Sequence, residues 1–362
     1  MVIPIVALGM VEVLVRSAVD RRPRWYGAAQ QAVAEGPVDV IFVGSSRVRA
    51  AVYTPAFEQE VRATSGSCVR SLNLGRGYST AAQHYLGLRN LFAAHPEHLP
   101  ALTVFVEIPN ALFGPSQWTR SWTNERQPWM LVDLLREGDL WGFWRSPGLA
   151  WAEKIHLMFR FALRDAVTTF NRRERIREEL IRNGVPRILA LVRRGPARAV
   201  APSSAAGGEL IGRETDVGRD PEALRAAREL AREVTGAWVD RETPVHEWEA
   251  SIEHDLVEMV VRQGGRVVFF RPPLSSMFAR LDDSPGRQRD IRTFRQRARE
   301  WNAVVLAPHV EFTDEDFPDL WHTDHRLAET FSRALARDWL ETTGPPRDAA
   351  RAAGRPTSCP RP

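Results

Sequence analysis

Three residues of this sequence have the types and positions that nucleophilic catalysis needs. Ser46 lies in the segment Gly44-Ser45-Ser46-Arg47, and Asp319 and His322 belong to the segment Asp319-Leu320-Trp321-His322. A serine hydroxyl becomes a nucleophile when an imidazole takes its proton, and a carboxylate orients that imidazole and stabilises its charged form. Gly-Ser-Ser is also a common turn sequence, and one Asp-x-x-His occurs by chance. The hypothesis therefore depends on a fold that brings both segments together.

Five short apolar runs are typical of strands that are buried on both faces of a sheet. They occupy residues 39–43, 69–74, 102–108, 266–270 and 303–306. Helical patterns between them predict right-handed βαβ crossovers. We therefore expect the α/β class: a three-layer α/β/α fold with a flavodoxin-like, parallel, five-stranded sheet and a large helical insertion. Ligands of such sheets bind beyond the carboxyl ends of the strands, which is where Ser46 lies.

Other polar residues follow the predicted strands. The glycine-rich segment 73–80 lacks the third glycine of a dinucleotide loop, but a glycine N–H there can serve a neighbouring reaction centre. Glu107 ends the third strand as a second acid or as the salt-bridge partner of an arginine, and we favour the salt bridge. Arg271 follows the fourth strand, where it would hold an anionic group of a substrate or a neighbouring carboxylate.

A metal site is the rival interpretation of the second segment, with His322, Asp324 and His325 as ligands. No further His/Cys cluster completes a ligand set, so we expect no metal and no other cofactor. Two cysteines are too few for a disulfide framework or a structural zinc site. Cys359 lies in a tail rich in proline and arginine, and we expect it not to pair with Cys68.

In chain order, these segments resemble the SGNH (GDSL-like) hydrolase family over residues 38–110 and 264–340. The first segment is similar to the family's nucleophile block, with Ser46 in the serine position and Ser45 where an Asp is usual. The second, Asn73 to Thr80, is similar to the block whose glycine N–H belongs to the oxyanion hole, and Gly77 is the best match. The resemblance of the last block implies that His322 is the base and Asp319 its orienting partner.

The third block departs from the family pattern of Gly-x-Asn-Asp. Here the chain reads Glu107-Ile108-Pro109-Asn110. The resemblance implies Asn110 as an oxyanion donor, while the Gly and the Asp are absent. Loss of one oxyanion donor typically lowers the rate by about 10²–10³. A slow enzyme, or a site kept mainly for binding, would follow if Asn110 pointed away.

The expected domain organisation is one domain interrupted once. Residues 1–24 are a possible membrane anchor, 38–110 with 264–340 form the hydrolase-like domain, 111–263 form a helical insertion or cap, and 341–362 form a disordered tail. The apolar run of residues 2–15 is short for a membrane span. An anchor is nevertheless the favoured interpretation, ahead of a core helix and of a signal-like segment, for which a basic n-region and a cleavage site are missing. Arginines after it favour a cytoplasmic domain, whereas the resemblance favours a membrane-anchored, extracytoplasmic one.

The composition excludes several classes of protein. With 44% apolar and 26% charged residues, the chain is neither disordered nor collagen-like. A net charge of +4, from 49 basic and 45 acidic residues, is too balanced for a protein that coats nucleic acid. Six of the twelve tryptophans lie between Trp118 and Trp151, where we expect most to fill the core of the insertion rather than to stack on sugars or to lie at a membrane interface.

The resulting expectation is a serine-dependent ester hydrolase or O-acyl(acetyl)transferase. It would act on an acyl-ester or glycan substrate, such as an acylated cell-surface polysaccharide, through an acyl-Ser46 intermediate. Ser46, Asp319 and His322 are the catalytic candidates, Gly77 and Asn110 the oxyanion candidates, and Arg47 and Arg271 candidates for substrate binding. The alternative is a non-catalytic module that keeps the fold and binds glycan or a partner protein.

Overall fold

A computed structural model describes nine stretches of the chain. They are residues 24–76, 81–99, 102–108, 131, 134–145, 150–163, 252–276, 278–279 and 285–344. The predicted anchor up to residue 23, most of the insertion and the tail from residue 345 onward lie outside the described residues.

The core of the fold is a five-stranded parallel sheet, as the apolar runs predict. Its strand order is β2-β1-β3-β4-β5, the flavodoxin-like order, and each neighbouring pair is parallel. In the register, Phe42 lies opposite Phe105 and Glu107 lies opposite Phe270. The strands are β1 Val40–Val43, β2 Ser71–Asn73, β3 Thr103–Glu107, β4 Arg266–Phe270 and β5 Val304–Leu306. The predicted α/β fold class is confirmed.

Helices connect the strands and cover both faces of the sheet. In the described part of the chain, no helix is long and apolar enough to cross a bilayer. Short 3₁₀ turns occupy Pro96–His98 and Asp314–Asp316. The helices are α1 Arg24–Ala34, α2 Ser46–Ala51, α3 Thr54–Ser65, α4 Ala81–Ala94, α5 Glu137–Arg145, α6 Trp151–Leu163, α7 Ile252–Arg262, α8 Pro285–Glu300 and α9 His325–Thr343.

Alternate residues of β4 define the two helical layers. Phe270 faces α3 and α9, where Phe42, Phe57, Phe105, Phe331 and Trp339 pack ring against ring with centroids 4.8–6.3 Å apart. Phe269 faces the opposite layer and meets Phe294 of α8 at 4.8 Å. The helix α7 lies against α4 and β4. It therefore belongs to the layered domain, although it falls within the segment 111–263 predicted as the insertion.

The chain divides into two compact units. One comprises Met1–Ala28 and Thr123–Ser203, and the other Ala29–Trp122 and Ser204–Pro362. Within the first, the rings of Trp144 and Trp151 meet edge to face at 4.7 Å. Trp141 and Trp151 are nevertheless 61% and 63% exposed. These two tryptophans do not fill a core, and since Trp118, Trp122 and Trp129 lie outside the described residues, the expectation for the segment as a whole stays a prediction.

Cys68 is disulfide-bonded, so the expectation that the cysteines stay unpaired is wrong. Cys68 lies on the surface just before β2. The chain's only other cysteine, Cys359, lies outside the described residues. Composition could not reveal this bond, because the residues around Cys68 do not show whether its thiol is paired.

Candidate active site

In the turn after β1, two adjacent serines differ in their hydrogen bonds and in their burial. The Ser45 hydroxyl caps α2 and accepts a hydrogen bond from the Arg47 N–H at 3.2 Å. Ser45 is buried, whereas Ser46, the first residue of α2, is half-buried. The first N–H groups of a helix have no partner within the helix, so the Ser46 N–H is free of the α2 ladder. The structure thus leaves Ser46, and not Ser45, with a hydroxyl that is not engaged in capping.

A buried ion pair supports this turn. The Ser45 N–H donates to Glu107 Oε2 at 2.6 Å, and Glu107 Oε1 lies 3.6 Å from Arg47 Nη1. Both side chains are less than a tenth exposed. Arg47 Nη2 also donates to the Pro272 carbonyl, in the loop after β4, at 3.3 Å. The favoured interpretation of Glu107 as a salt-bridge partner is confirmed, and the pair links the ends of β1, β3 and β4.

Gly44 is required because the turn packs directly on this ion pair. A Cβ placed at Gly44 would lie 2.3 Å from Val48 Cγ2 and 2.7 Å from Glu107 Oε2, closer than side chains approach one another. The Gly44 carbonyl accepts a hydrogen bond from the Arg76 N–H at 3.0 Å. The His84 ring of α4 also hydrogen-bonds the Gly44 backbone. The nucleophile turn is therefore held from both sides.

His84 makes stability depend on pH in the acid range. Burial lowers the pKa of His84 from 6.5 to about 4, the Arg76 charge adds to this, and the bond to Gly44 opposes it. Between these values the unfolded chain binds a proton at His84 that the folded chain does not, so stability falls as the pH falls from 6.5 to 4. The shift corresponds to about 3 kcal/mol. We expect His84→Gln to lose correspondingly less stability across this window, measured by urea unfolding at successive pH values.

The matched control for this prediction is His309→Gln, because His309 is an exposed histidine outside the core. It should reproduce the pH dependence of the unaltered chain. Equal losses of stability in acid for His84→Gln and the unaltered chain would contradict the assignment.

Asn73 fixes the other end of α2. Its amide donates to the Val52 carbonyl at 2.8 Å, and also at 3.1 Å to the Val48 carbonyl, which already accepts the Val52 N–H at the C-terminal end of the helix. Its Oδ1 accepts from the Gly75 N–H at 2.9 Å. The conformation of the glycine-rich segment and the position of α2 are thus coupled through one side chain.

The structure brings Asp319 and His322 together. Asp319 Oδ2 lies 2.6 Å from His322 Nδ1, and Asp319 Oδ1 accepts hydrogen bonds from the N–H groups of Trp321 and His322 at 2.9 and 2.8 Å. Burial raises the pKa of Asp319, but the bond to the His322 ring, its charge and the two N–H donors outweigh this, and the pKa lies below its ordinary value. An ionised Asp319 keeps the proton of His322 on Nδ1.

The other nitrogen of His322 is poised to accept a proton. With Nδ1 protonated, Nε2 carries the lone pair. His322 Nε2 is buried and makes no hydrogen bond, although buried polar atoms nearly always find a partner. An orphaned, correctly oriented imidazole nitrogen is what a general base presents before substrate binds, because catalytic hydrogen bonds are often completed only in the complex.

The turn that carries the pair has an unusual backbone. Leu320 has a φ of +66°, a left-handed conformation that is rare for residues other than glycine and marks functional sites. Its carbonyl accepts a hydrogen bond from the Ser275 hydroxyl at 2.8 Å, and Ser275 is fully buried in the loop after β4. Ser275 thereby fixes the turn in the conformation that points Asp319 at His322.

The helix α9 connects this turn to the nucleophile segment. It begins three residues after His322, and Asp324 caps it by accepting the Leu327 N–H at 2.7 Å. The His325 ring packs on Tyr53, which follows α2, at 4.7 Å. The Tyr53 N–H donates to the buried Ser332 hydroxyl of α9 at 2.8 Å. The same helix thus packs against α2 and against the residues that follow it.

The remaining predicted residues fall into three groups. Gly77 and Asn110, the oxyanion candidates, lie outside the described residues. Arg47 is buried under the turn and bound to Glu107, which favours a positioning role over contact with substrate, whereas Arg271 is half-buried at the end of β4. The other two ligand candidates of the rival metal site have structural contacts: Asp324 caps α9, and the His325 ring packs on Tyr53.

Sequence reasoning missed three residues that shape the site: Asn73, His84 and Ser275. Asn73 was read only as part of a glycine-rich segment, although an asparagine at a strand end is a frequent partner of backbone groups. His84 lies in an apolar helical stretch and Ser275 in a proline-rich loop, and neither carries a spacing signal. Their roles depend on contacts between segments far apart in the sequence.

Comparisons with known proteins leave the chain unassigned, because no protein-family model matches it and no curated protein matches it.

Proposed function

We propose that this chain is a serine-dependent ester hydrolase or O-acyltransferase of the SGNH type. The observation that carries the proposal is the Asp319–His322 pair, which leaves a buried, unpartnered His322 Nε2. Two further features support it: the free hydroxyl of Ser46 at the carboxyl end of β1, and the packing of α9 on the chain just after α2.

In the proposed acylation step, Ser46 Oγ attacks the carbonyl carbon of an ester while His322 Nε2 takes the hydroxyl proton. Asp319 stabilises the resulting imidazolium, and its low pKa keeps it ionised throughout. The tetrahedral intermediate collapses when the bond to the leaving alcohol breaks and His322 returns the proton to that oxygen. The product is an acyl-Ser46 ester. In the deacylation step, water or a hydroxyl group attacks this ester while His322 takes its proton, and His322 then returns the proton to Ser46 Oγ as the acyl group leaves.

The oxyanion of the intermediate needs donors near Ser46. The Ser46 N–H is the donor that the described turn supplies, since helix geometry leaves it without an intrahelical partner. Gly77 and Asn110 are proposed as the second and third donors on the strength of the family resemblance. Asn73 supports this assignment for Gly77 because it fixes the start of the same segment through the Gly75 N–H.

Acylated polysaccharide at the cell surface is the proposed substrate class. Water as acceptor gives an esterase, including a deacetylase, and a sugar hydroxyl gives an O-acetyltransferase. The disulfide at Cys68 supports an extracytoplasmic location, because disulfides persist mainly in oxidising compartments.

The test is covalent labelling with a fluorophosphonate probe together with turnover of p-nitrophenyl acetate. We expect one modified residue, Ser46, in peptide mapping. Ser46→Ala should abolish labelling and lower the turnover by about 10³-fold or more. Ser45→Ala is the matched control: it removes a helix cap worth about 1 kcal/mol but retains the nucleophile, so labelling should persist.

Failure of both assays would overturn the enzyme proposal. A folded chain without labelling at Ser46 and without turnover would instead favour the non-catalytic, glycan- or protein-binding module. The observation in favour of that alternative is the third block, which lacks the family's Gly and Asp and whose Glu107 is committed to the ion pair with Arg47.

A further inference from the structure

Two histidines and a glutamate meet at the edge of the sheet that lies away from Ser46. They belong to His95-Pro96-Glu97-His98, the turn between α4 and the start of β3. Their ligand atoms all lie within 4.8 Å of one another, and within the described part of the chain this is the one such group of three. It shares no residue with the candidate active site.

The geometry of the group is that of a partly open coordination sphere. His98 Nε2 lies 3.8 Å and His95 Nδ1 lies 4.0 Å from the same carboxylate oxygen, Glu97 Oε1. These separations are too long for hydrogen bonds. A tetrahedral Zn²⁺ with bonds of about 2.0–2.1 Å requires ligand atoms about 3.4 Å apart, so the two pairs that involve Glu97 must shorten by roughly half an ångström and the two histidine nitrogens, which lie within 4.8 Å of each other, must also approach.

His98 is already oriented for ligation. Its Nδ1 lies 2.6 Å from the Val33 carbonyl, and a carbonyl can only accept, so Nδ1 carries the proton and Nε2 presents its lone pair towards Glu97. The His98 carbonyl also accepts from the Val38 N–H at 2.9 Å. Metal-binding histidines typically have such a second bond to a backbone carbonyl, which fixes the ring and its tautomer.

The remaining two ligands are accessible and adjustable. The side chains of His95 and Glu97 are 22% and 61% exposed, and the two imidazole rings stack nearly parallel, with centroids 6.0 Å apart. The site is therefore open to solvent on one side, with room for water as the fourth ligand. Two imidazoles with one carboxylate suit zinc-like divalent cations rather than calcium or magnesium.

We propose that His95, Glu97 and His98 form a binding site for a zinc-like divalent cation. The bound ion would fix the turn before β3, and through the bonds of His98 to Val33 of α1 and to Val38 just before β1 it would also fix that turn against these two elements. Its effect is on the stability of the domain, independent of the proposed ester chemistry. The sequence-based expectation of no metal considered cysteine-rich sites and His322, and it overlooked this His-x-Glu-His turn.

The test is isothermal titration of the metal-stripped full-length chain with ZnCl₂. We expect one equivalent to bind in or below the tens-of-micromolar range, and the thermal midpoint to rise with free Zn²⁺, because a ligand that binds only the folded state stabilises it. His95→Ala and Glu97→Gln should each weaken binding by more than about tenfold, the loss that even indirect partners of a metal cause. Both residues are accessible enough for these variants to fold.

Two controls separate this site from other histidines. His309→Ala alters an exposed histidine and should leave Zn²⁺ affinity unchanged. His322→Ala should also leave it unchanged if the ion binds at the turn and not at the candidate active site. Absence of a stoichiometric heat signal, or undiminished binding in Glu97→Gln and His95→Ala, would overturn the proposal whatever the outcome of the Ser46 labelling.

Discussion

Asp319→Asn is expected to lower kcat/KM for p-nitrophenyl acetate by about 10³–10⁴ while leaving the chain folded. The carboxylate now accepts from His322 Nδ1 at 2.6 Å and from two backbone N–H groups. An asparagine can keep the backbone bonds with its Oδ1, but its amide then presents N–H donors to Nδ1. The imidazole must take the opposite tautomer, with the proton on Nε2, and can no longer accept the Ser46 proton.

Two measurements distinguish this effect from simple destabilisation. Asp324→Asn is the control, since Asp324 caps α9 by accepting the Leu327 N–H and asparagine caps helices about as well. Its activity should stay within a few-fold of the unaltered enzyme. The loss in Asp319→Asn should lie in kcat, with unfolding by urea little changed. A variant that keeps more than a tenth of the activity would refute the proposed base.

Glu107→Ala is expected to destabilise the domain by about 3–5 kcal/mol, the usual result of removing one partner of a buried ion pair. Arg47 would remain buried, with its carboxylate partner removed, and the Ser45 N–H would lose an acceptor at 2.6 Å. Esterase activity should fall as well, because the same carboxylate holds the nucleophile turn. Urea unfolding at neutral pH measures the first effect.

The control is an exposed ion pair of similar type. Arg333 and Glu329 of α9 are 2.9 Å apart with both side chains partly exposed, and Glu329→Ala should cost less than about 1 kcal/mol. The double variant Arg47→Met/Glu107→Leu should recover most of the stability lost in Glu107→Ala, because an apolar pair avoids the uncompensated charge. If Glu107→Ala and Glu329→Ala cost the same, the ion pair does not support the turn.

The layered fold was predictable because its strands are buried on both faces. Runs such as Val40–Val43 and Arg266–Phe270 consist almost entirely of β-branched and aromatic residues. This composition is typical of parallel strands that are covered on both faces. The final helix was predictable for a similar reason, since Phe331 and Leu335 are four residues apart and both are buried.

The contact between Asp319 and His322 was predictable from their spacing, but the backbone conformation and the ion pair that support the candidate site were not. Nothing in Asp319-Leu320-Trp321-His322 indicates that a leucine takes a positive φ, because that conformation usually calls for glycine. The choice of Arg47 as the partner of Glu107 also depends on tertiary structure, since the sequence offers arginines in nearly every segment.

Cys68 illustrates a different limit. A lone cysteine before a strand gives no sign of its partner, and its bond became apparent only from the structure. The same holds for His95 and His98: their spacing is visible in the sequence, but the Val33 carbonyl that orients His98 belongs to a helix more than 60 positions earlier.

The aromatic core has a consequence for how the protein is made. Phe42 of β1 packs in the same cluster as Phe331 and Trp339 of α9. Residues that are synthesised early and residues that are synthesised late therefore complete one hydrophobic core. During synthesis, β1 leaves the ribosome long before α9, and until then only earlier partners such as Phe57 and Phe105 can cover Phe42. Such long-range pairing slows folding. The turn that carries Ser46 is therefore synthesised long before Asp319 and His322, so the candidate site is complete only in the last stage of folding.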